Sequence, residues 1–350
     1  MKWEEPKYSK KQVDKAGKAI ANASATNMQA PKKDMEVFHN WRNSHIFPMR
    51  ITLDSVKRAA LKIDGNSISV RRLKRTSSII EKLQREKTMQ LSTMQDIGGC
   101  RIIMTTLDNI NKLYEFLKKR KSCLGLYDED NYIINPKISG YRSIHLMYKY
   151  NGSKNAFKNM RVELQIRTEI QHSWATAVEV IDTFTKQSLK SGKGEDKWLE
   201  LFKLISVEFK KLEDNSVENN FIEYDFNKMC GLIKELKLFD RLRMFTISLH
   251  EITSKIKKLN PSKKEVYFLI DLDVKSMSGS YRIYTNKDLE KAVSHYNKLD
   301  EDYQTNSDRN IVLLSAKSLS EIKKGYPNYF ADTEKFERNI NKIISIHKNI

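Results

Sequence analysis

The chain has 350 residues, 39% hydrophobic and 31% charged, with a formal net charge of +19 at pH 7. This length fits two or three domains, and the charge predicts polyanionic partners such as nucleotides or nucleic acid, unless the source organism is simply lysine-rich. Three cysteines without paired spacing exclude a disulfide framework, and the absence of any apolar run of roughly 18 residues excludes a membrane span. No apolar signal segment begins the chain, so we expect a cytoplasmic protein.

The first 90 residues hold 20 Lys and Arg against 9 Asp and Glu, which is more than half of the net charge. A short helix is predicted over Tyr8–Asn22 from its apolar spacing. A further helix from about Asp34 is expected to break at Pro48. The next helix, Met49–Ile63, should stop at the Asp-Gly-Asn sequence that follows it.

A concentrated positive segment, Arg71–Arg75, has four cations in five residues. It leads into Ser77–Arg85, where Ser78 and Glu81 have the spacing of a capping box that marks a helix start. Cations at the start of a helix attract phosphate, because the first backbone N–H groups of a helix have no partner within it. We therefore predict a phosphate site at Arg71–Arg75.

The Asp96-Ile-Gly-Gly sequence predicts a sharp turn at its two glycines, followed by a buried strand over Cys100–Met104. Asp96 then lies close to one end of that strand. A helix is expected over Leu107–Lys119. The chain next passes through residues 125–134 to a Gly-Tyr-Arg turn.

The segment Lys137–Tyr150 combines this turn with a strand in which apolar and polar residues alternate. A second alternating strand, Arg161–Arg167, follows. Its apolar residues face a core, and three polar residues share the opposite face: Glu163, Gln165 and Arg167. The two polar faces predict the floor of a site. A helix with an apolar stripe is expected next, over Thr168–Thr185.

Long helices are predicted over Lys197–Leu212 and Tyr224–Leu259. A small α+β module follows, with strands at Val266–Leu272, Tyr281–Thr285 and Ile311–Ala316 and helices at Lys287–Tyr303 and Thr333–His347. The order of elements predicts an α/β fold with a mixed sheet. We expect a basic extension (1–34), a site-bearing domain (35–190), a helical connector (191–260) and a C-terminal domain (261–350).

The polar residues alone suggest phosphoryl chemistry. Asp96 and Glu163 are carboxylates near strands of one sheet, and such a pair can hold Mg²⁺, which takes oxygen ligands and retains water that phosphates displace. Surrounding cations stabilise the charge of a transferred phosphoryl group. Tyr141, on the turn, offers a ring for a base to stack on. The sequence has no P-loop and no kinase glycine-rich loop.

Four motifs between residues 35 and 185 resemble the RelA/SpoT nucleotidyl-pyrophosphokinase synthetase domain. They are Asp96-Ile-Gly-Gly-x-Arg101, Tyr132-Ile-x-x-Pro-Lys-x-Ser-Gly-Tyr-Arg-Ser-Ile-His145, Glu163-Leu-Gln-Ile-Arg-Thr168, and Arg72-Leu-Lys74 with Lys82. The resemblance implies a nucleotidyltransferase-like fold that moves the β,γ-pyrophosphate of ATP to a ribose 3′-hydroxyl and releases AMP. No hydrolase motif precedes these motifs, so we expect synthesis only. Asn131 stands where many members have Asp.

The resemblance also implies residue roles. Arg72 and Arg101 would sandwich adenine, and Lys74 and Lys82 would hold the triphosphate. Asp96 would bind Mg²⁺, and Glu163 would bind Mg²⁺ or activate the 3′-hydroxyl. The remaining candidates would contact the acceptor, Tyr141 by stacking, Arg142 and His145 near phosphates and His172 near the base. For His172 a structural role in the core or as a helix cap stays equally open.

Further features resemble the CapRel type of toxic small alarmone synthetase, whose C-terminal antitoxin-like domain has a zinc-finger-like fold without zinc ligands. Among them are Asn40-Trp-Arg-x-x-His45 and Gly325-Tyr-Pro-Asn-Tyr-Phe. The resemblance implies that Tyr326 and Tyr329 cover the ATP site and inhibit the enzyme until a trigger, in some members a phage protein, binds. An ordinary aromatic turn that fills a gap is the alternative.

Toxic members of this type modify the 3′ end of tRNA, and a tRNA acceptor arm needs a broad basic surface of the kind that residues 1–90 offer. Our first expectation is therefore pyrophosphate transfer to the tRNA CCA end, which stops translation and serves phage defence. The alternative is (p)ppGpp synthesis from GDP or GTP in the stringent response. A catalytically inactive RNA-binding module is disfavoured because both carboxylates are present. No DNA partner is expected.

Overall fold

The structure, a computed structural model, describes residues 3–26, 28–120, 122–185, 187–214, 223–243, 266–273, 278–302, 309–316 and 333–347. Its main helices are α1 Lys10–Ala25, α2 Lys32–Ser44, α3 Ile46–Ile63, α4 Thr76–Arg85, α5 Leu107–Lys119, α6 Glu169–Thr185, α7 Asp196–Glu213, α8 Glu223–Glu235, α9 Leu289–Asp302 and α10 Glu334–His347. Its strands are β1 Ile68–Leu73, β2 Gly98–Met104, β3 Leu124–Asn131, β4 Ile144–Tyr150, β5 Arg161–Thr168, β6 Val266–Asp273, β7 Ser278–Thr285 and β8 Arg309–Ala316. Tyr326 and Tyr329 lie outside the described residues.

These strands form one sheet in the order β3-β4-β5-β2-β1-β8-β6-β7. β2 and β5 run parallel, and the other neighbouring pairs are antiparallel. The predicted mixed α/β fold is therefore confirmed. β3 adds a strand to the predicted set. It lies at an edge of the sheet, where solvent reaches its acidic residues, so its sequence lacks a regular apolar alternation.

The two faces of the sheet differ in chemistry. α3 and α5 pack on one face, where Leu73, Ile102 and Leu164 belong to a continuous apolar core. On the other face, β1, β6 and β8 contribute apolar residues such as Val70 and Leu314 to a core shared with α6, α7 and α10. β2, β4 and β5 present polar side chains on that second face. The predicted site floor thus lies between the sheet and α6.

The C-terminal elements share the sheet with the N-terminal ones. β8 lies beside β1, with Arg71 opposite Ser315 and Arg72 opposite Leu314. α10 packs on α6 and α7, and its Lys335 forms an ion pair with Glu169 at 2.5 Å. The domain boundary at residue 261 stays a prediction. In the described part of the chain, both sides of that boundary are held by one sheet and a common core.

Arg42 of α2 joins three parts of the fold although it is almost completely buried. Its Nε donates a 2.8 Å hydrogen bond to the carbonyl of Lys74, just after β1. Its guanidinium lies 4.3 Å from the ring centroid of Tyr296 on α9. A buried guanidinium needs such partners because desolvation disfavours its charge. The Asn-Trp-Arg motif therefore has a structural role that ties α2, Lys74 and α9 together.

Several local predictions are wrong. The helix break falls at His45, and Pro48 lies in the first turn of α3, where its missing N–H has no helical partner to lose. α4 starts at Thr76 without a side-chain cap, so Ser78 and Glu81 are not a capping box. The two glycines before Cys100 lie within β2 and do not form a turn.

Two further corrections concern charge and length. Arg71 and Arg72 project to opposite faces of β1, and Arg71 is buried, so the segment 71–75 is not one phosphate site. The helix predicted over Tyr224–Leu259 ends at Glu235, shortly before Lys237, which adopts a positive φ of 48°. Residues 244–259 lie outside the described part. No described helix has the length and apolar character needed to cross a membrane.

Candidate active site

Three neighbouring strands, β4, β5 and β2, build the polar face. Their register forms two rows, one in which His145, Gln165 and Arg101 lie side by side and one in which Glu163 lies opposite Gly99. Residues paired in this way point to the same side of a sheet. Because Gly99 has no side chain, β2 places no side chain beside Glu163 in the second row.

Asp96 lies two residues before β2 and contacts two of the predicted phosphate-binding cations. Its Oδ2 is 2.6 Å from Lys74 Nζ, and its Oδ1 is 3.2 Å from Lys82 Nζ. Burial and the neighbouring Glu163 charge act to raise the pKa of Asp96, but the two lysines outweigh them and hold it below its usual value. The effect of Glu163 on Asp96 places the two carboxylates within electrostatic reach of each other.

Both oxygens of Glu163 are held by hydrogen bonds. His145 Nδ1 donates to Oε1 at 2.7 Å, and Gln165 Nε2 donates to Oε2 at 2.9 Å. Burial acts to raise the pKa of Glu163, yet these partners, with Lys74, hold it well below its ordinary range. Glu163 is therefore an ionised carboxylate with a fixed orientation, as a metal ligand or a general base requires.

A further set of contacts closes these bonds into a ring. Tyr141 Oη lies 2.7 Å from His145 Nε2, and Arg167 Nη2 donates to Tyr141 Oη at 2.9 Å and to Gln165 Oε1 at 2.5 Å. We call Glu163, His145, Tyr141, Arg167 and Gln165 the carboxylate ring. Burial acts against the charge of both Tyr141 and His145, but their neighbours outweigh it, lowering the pKa of Tyr141 to about 7 and raising that of His145 to about 9.

The Tyr141 ring is only 3% exposed. Lys190 Nζ lies 5.2 Å and Lys137 Nζ 5.7 Å from its centroid, and the ring of Trp174 lies 6.4 Å away. The turn that carries Tyr141 is fixed by Gly140, whose φ of +87° favours glycine. A base can stack on Tyr141 only after the lysine side chains move aside, so the stacking role stays a prediction.

Arg72 and Arg101 occupy the same face on adjacent strands, as the predicted adenine sandwich requires. Glu179 of α6 lies near both. Burial acts to raise its pKa, but Lys190, Arg72 and Arg101 outweigh burial and lower the pKa well below its usual range. Lys190 Nζ also forms a 2.5 Å ion pair with Glu179. The predicted ATP residues therefore already have an anionic neighbour on α6.

Two predicted acceptor residues lie apart from the ring. Arg142 Nη1 forms a 2.6 Å ion pair with Glu213, the last residue of α7, and both side chains are at most 4% exposed. His172 is buried on α6, and its carbonyl accepts a hydrogen bond from Thr176. The structure thus gives Arg142 a structural contact with α7. The acceptor roles of Arg142 and His172 stay predictions.

The two carboxylates at the site suit magnesium. Asp96 and Glu163 offer oxygen atoms from two neighbouring carboxylates, which suits an ion that takes one or two protein carboxylates together with phosphate oxygens and water. Among the described residues, no group of three or more His, Cys, Asp or Glu side chains forms a metal cage. The residues fit a magnesium ion that arrives with a nucleotide, and do not form a dedicated metal centre.

Sequence reasoning assigned no role to four residues that the structure brings to the site. Gln165 and Arg167 complete the carboxylate ring, Lys190 covers Tyr141, and Glu179 faces the arginines. Alternation in β5 already placed the first two on the face of Glu163, and that signal was sufficient to find them. Lys190 lies in a short 3-10 helix, Leu189–Ser191, that follows α6, and no sequence pattern indicates its position.

Residues 71–183 match the family model RelA_SpoT, described as the region found in RelA / SpoT proteins. The chain is 40% identical over 108 residues to GTP pyrophosphokinase YjbM of Bacillus subtilis (strain 168), a match that covers 30% of this chain and 51% of that protein. It is 29% identical over 170 residues to GTP pyrophosphokinase YwaC of the same strain, covering 44% and 78%. The chain therefore spans about half the length of the first relative.

The solved structures to which the chain is similar include small alarmone synthetase 1 from Bacillus subtilis bound to its product pppGpp. That comparison covers 49% of this chain and 92% of the other, with 29% identity and a TM-score of 0.42. Small alarmone synthetase 2 from the same organism covers 50% and 95%, with 24% identity and a TM-score of 0.42. The region 71–183 contains every described residue that the sequence predicted for the site, whereas Lys190 lies beyond it.

Proposed function

We propose that this chain is an ATP-dependent pyrophosphokinase that transfers the β,γ-pyrophosphate of ATP to the ribose 3′-hydroxyl of GDP or GTP. The observation that carries the proposal is the pair of ionised carboxylates, Asp96 and Glu163, with Lys74 and Lys82 in contact with Asp96. The RelA_SpoT match covers this pair, and two relatives are named GTP pyrophosphokinases. These relatives favour the guanosine acceptor over our first expectation, the tRNA end.

In this proposal, Lys74 and Lys82 exchange Asp96 for the triphosphate when ATP binds, since phosphate oxygens offer them stronger partners. Magnesium bound by Asp96 and Glu163 would supply charge neutralisation on the phosphates. Glu163 takes the proton of the 3′-hydroxyl while that oxygen bonds to the β-phosphorus. The bond between the β-phosphorus and the oxygen that bridges it to the α-phosphorus breaks, and AMP leaves with the electron pair on that oxygen.

The acceptor is tested by incubating the protein with ATP labelled in its terminal phosphates and three candidate acceptors. We expect label in GDP or GTP and stoichiometric AMP release. Label in tRNA with an intact CCA end, but not in CCA-trimmed tRNA, would instead support the tRNA acceptor. Absence of AMP with every acceptor would contradict the pyrophosphokinase assignment and favour an RNA-binding module.

One observation keeps tRNA as a second candidate. α1 carries four exposed lysines, at positions 10, 11, 15 and 18, and it packs against α4, the helix that holds Lys82. A lysine-bearing surface that adjoins the predicted triphosphate site would suit a polyanion longer than a nucleotide. If tRNA is the acceptor, replacing these lysines should weaken tRNA labelling and leave transfer to GTP unchanged.

We also propose that the C-terminal region restrains the enzyme, as in the CapRel-like toxin type, with a phage protein as a possible trigger. The contact of β8 with β1, next to Arg72, supports an influence on the predicted ATP site. Tyr326→Ala is then expected to make expression toxic, measured by colony counts after induction. Growth equal to the parent, with the variant present at equal level, would contradict the restraint. Truncation near residue 261 is a weaker test, because it also removes β8.

A further inference from the structure

Arg167 is 0% exposed, yet no ion pair joins it to a carboxylate in the described part of the chain. Its Nε and Nη1 are buried without a hydrogen-bond partner among the described residues. A buried cation without a counter-ion lowers the stability of a folded protein. A buried polar group that lacks partners needs an explanation, and a role in catalysis is one. Arg167 therefore calls for a functional explanation, and the ring supplies one.

One nitrogen atom of Arg167 makes both of its hydrogen bonds to the ring. Nη2 donates to Tyr141 Oη on one side and to Gln165 Oε1 on the other. Arginine has donors only, so it fixes the direction of each bond that follows. With its carbonyl oxygen toward Arg167, the Gln165 amide must turn its NH₂ group toward Glu163. With its oxygen accepting from Arg167, Tyr141 keeps its other polar contact for His145.

We propose that Arg167 is a positioning residue for the transfer reaction, which orients Glu163 through Gln165 on one side and through Tyr141 and His145 on the other. The expected effect on kinetics rests on the proposed function, whereas the orienting contacts do not. The geometry alone determines that both oxygens of Glu163 are held by groups that Arg167 orients. Arg167 itself need not touch substrate.

Other charged and aromatic groups face the carboxylate ring and influence the pKa values of its residues. Lys74 and Asp96 act on Glu163, and Lys190 and Lys137 lie beside the Tyr141 ring. Arg101 Nη2 also donates to Gln165 Oε1, at 3.5 Å, and so supports one arm of the ring. Tyr132 packs edge-on to His145, with ring centroids 5.2 Å apart. None of these side chains bonds both arms of the ring, so its closure depends on Arg167.

The test is Arg167→Met in the full-length protein, with AMP release measured as a function of pH. We expect kcat to fall about 10- to 100-fold while KM for ATP changes less than about twofold, because Glu163 loses its orientation and the nucleotide contacts remain. The acid limb of kcat/KM should move to higher pH, since Glu163 loses hydrogen bonds that favour its ionised form. Arg167→Lys, which can donate to both neighbours, should restore most of the activity and the parental pH profile.

Gln165→Leu breaks one arm only and should produce a smaller loss than Arg167→Met. The double variant should be no worse than Arg167→Met alone. Arg161→Met is the matched control, because Arg161 lies on the same strand but donates to the carbonyl of Thr93. It should leave the pH profile unchanged. Two results would overturn the positioning role. One is unaltered kinetics in Arg167→Met. The other is a lower kcat with an unchanged acid limb of kcat/KM and a lowered melting temperature.

A readout without catalysis separates this proposal from the proposed function. In ¹⁵N-labelled protein, the His145 ring should titrate at lower pH in Arg167→Met than in the parent, because the Tyr141 oxygen loses its cationic donor. An unchanged His145 titration would contradict the ring even if activity fell. Conversely, the parent could release no AMP while the His145 titration still differs between parent and Arg167→Met. That result would support the ring and contradict only the pyrophosphokinase assignment.

Discussion

Glu163→Gln is expected to lower pyrophosphate transfer by about 10²- to 10⁴-fold, which is the usual contribution of a general base. The amide has nearly the same shape as the carboxylate, but it cannot accept the 3′-hydroxyl proton and is a poor magnesium ligand. It also turns an NH₂ group toward either His145 or Gln165, both of which donate to the carboxylate in the parent. AMP release with ATP and GTP measures the loss.

Glu129→Gln is the control for this prediction. Glu129 lies on the edge strand β3 and pairs with Lys118 at 2.9 Å, where solvent reaches both side chains. Glu129→Gln should change AMP release by less than about twofold and the free energy of unfolding by less than about 1 kcal/mol relative to the parent, as for exposed ion pairs in general. Wild-type AMP release from Glu163→Gln would exclude Glu163 as the base. A melting temperature equal to the parent would confirm that the loss is chemical.

Glu213→Ala is expected to lower the free energy of unfolding by about 3–5 kcal/mol, because it leaves the Arg142 guanidinium buried without its counter-ion. Thr168 and Gln171 also donate to Glu213 and would lose their acceptor. Urea unfolding monitored by circular dichroism measures the change. This pair joins the turn beside Tyr141 to the end of α7, so the variant should also bind acceptor more weakly.

The matched double variant Arg142→Met/Glu213→Leu separates charge burial from packing. Removing both charges leaves no uncompensated ion, so we expect a smaller loss of stability than in Glu213→Ala. Glu115→Ala, which breaks an exposed pair with Lys119, should change stability by less than about 1 kcal/mol. A double variant less stable than Glu213→Ala would show that specific bonding in the pair outweighs its desolvation cost.

Much of the fold follows from periodicity. α5 matches its predicted bounds, Leu107–Lys119, and β4, β5 and α6 lie where alternation and the apolar stripe place them. These elements bury one regular face, which is the property that a sequence pattern records. The sequence indicates β1 only as a positive segment, because Arg71 and Arg72 interrupt its apolar pattern.

The candidate site, like the fold, was only partly predictable from the sequence. The polar face of β5 was predictable from two-residue alternation, and motif resemblance singled out Asp96 and Glu163. The closure of the ring was not predictable, since it depends on the rotamers of Tyr141, on the turn before β4, and of Arg167 on β5. The pairing of Arg142 with Glu213 was likewise hidden, because it joins residues distant in sequence.

The position of β8 beside β1 has a consequence for how the protein is made. β1, β2, β4 and β5 leave the ribosome early, whereas β8 is among the last strands to be synthesised. Until β8 is made, this edge of β1 has no neighbouring strand, and uncovered strand edges recruit other chains. A nascent chain stopped before residue 309 therefore exposes an uncovered strand edge at Arg72, the arginine that we propose contacts ATP. Premature termination would yield aggregation-prone fragments, because the edge of β1 is covered only after β8 has been synthesised.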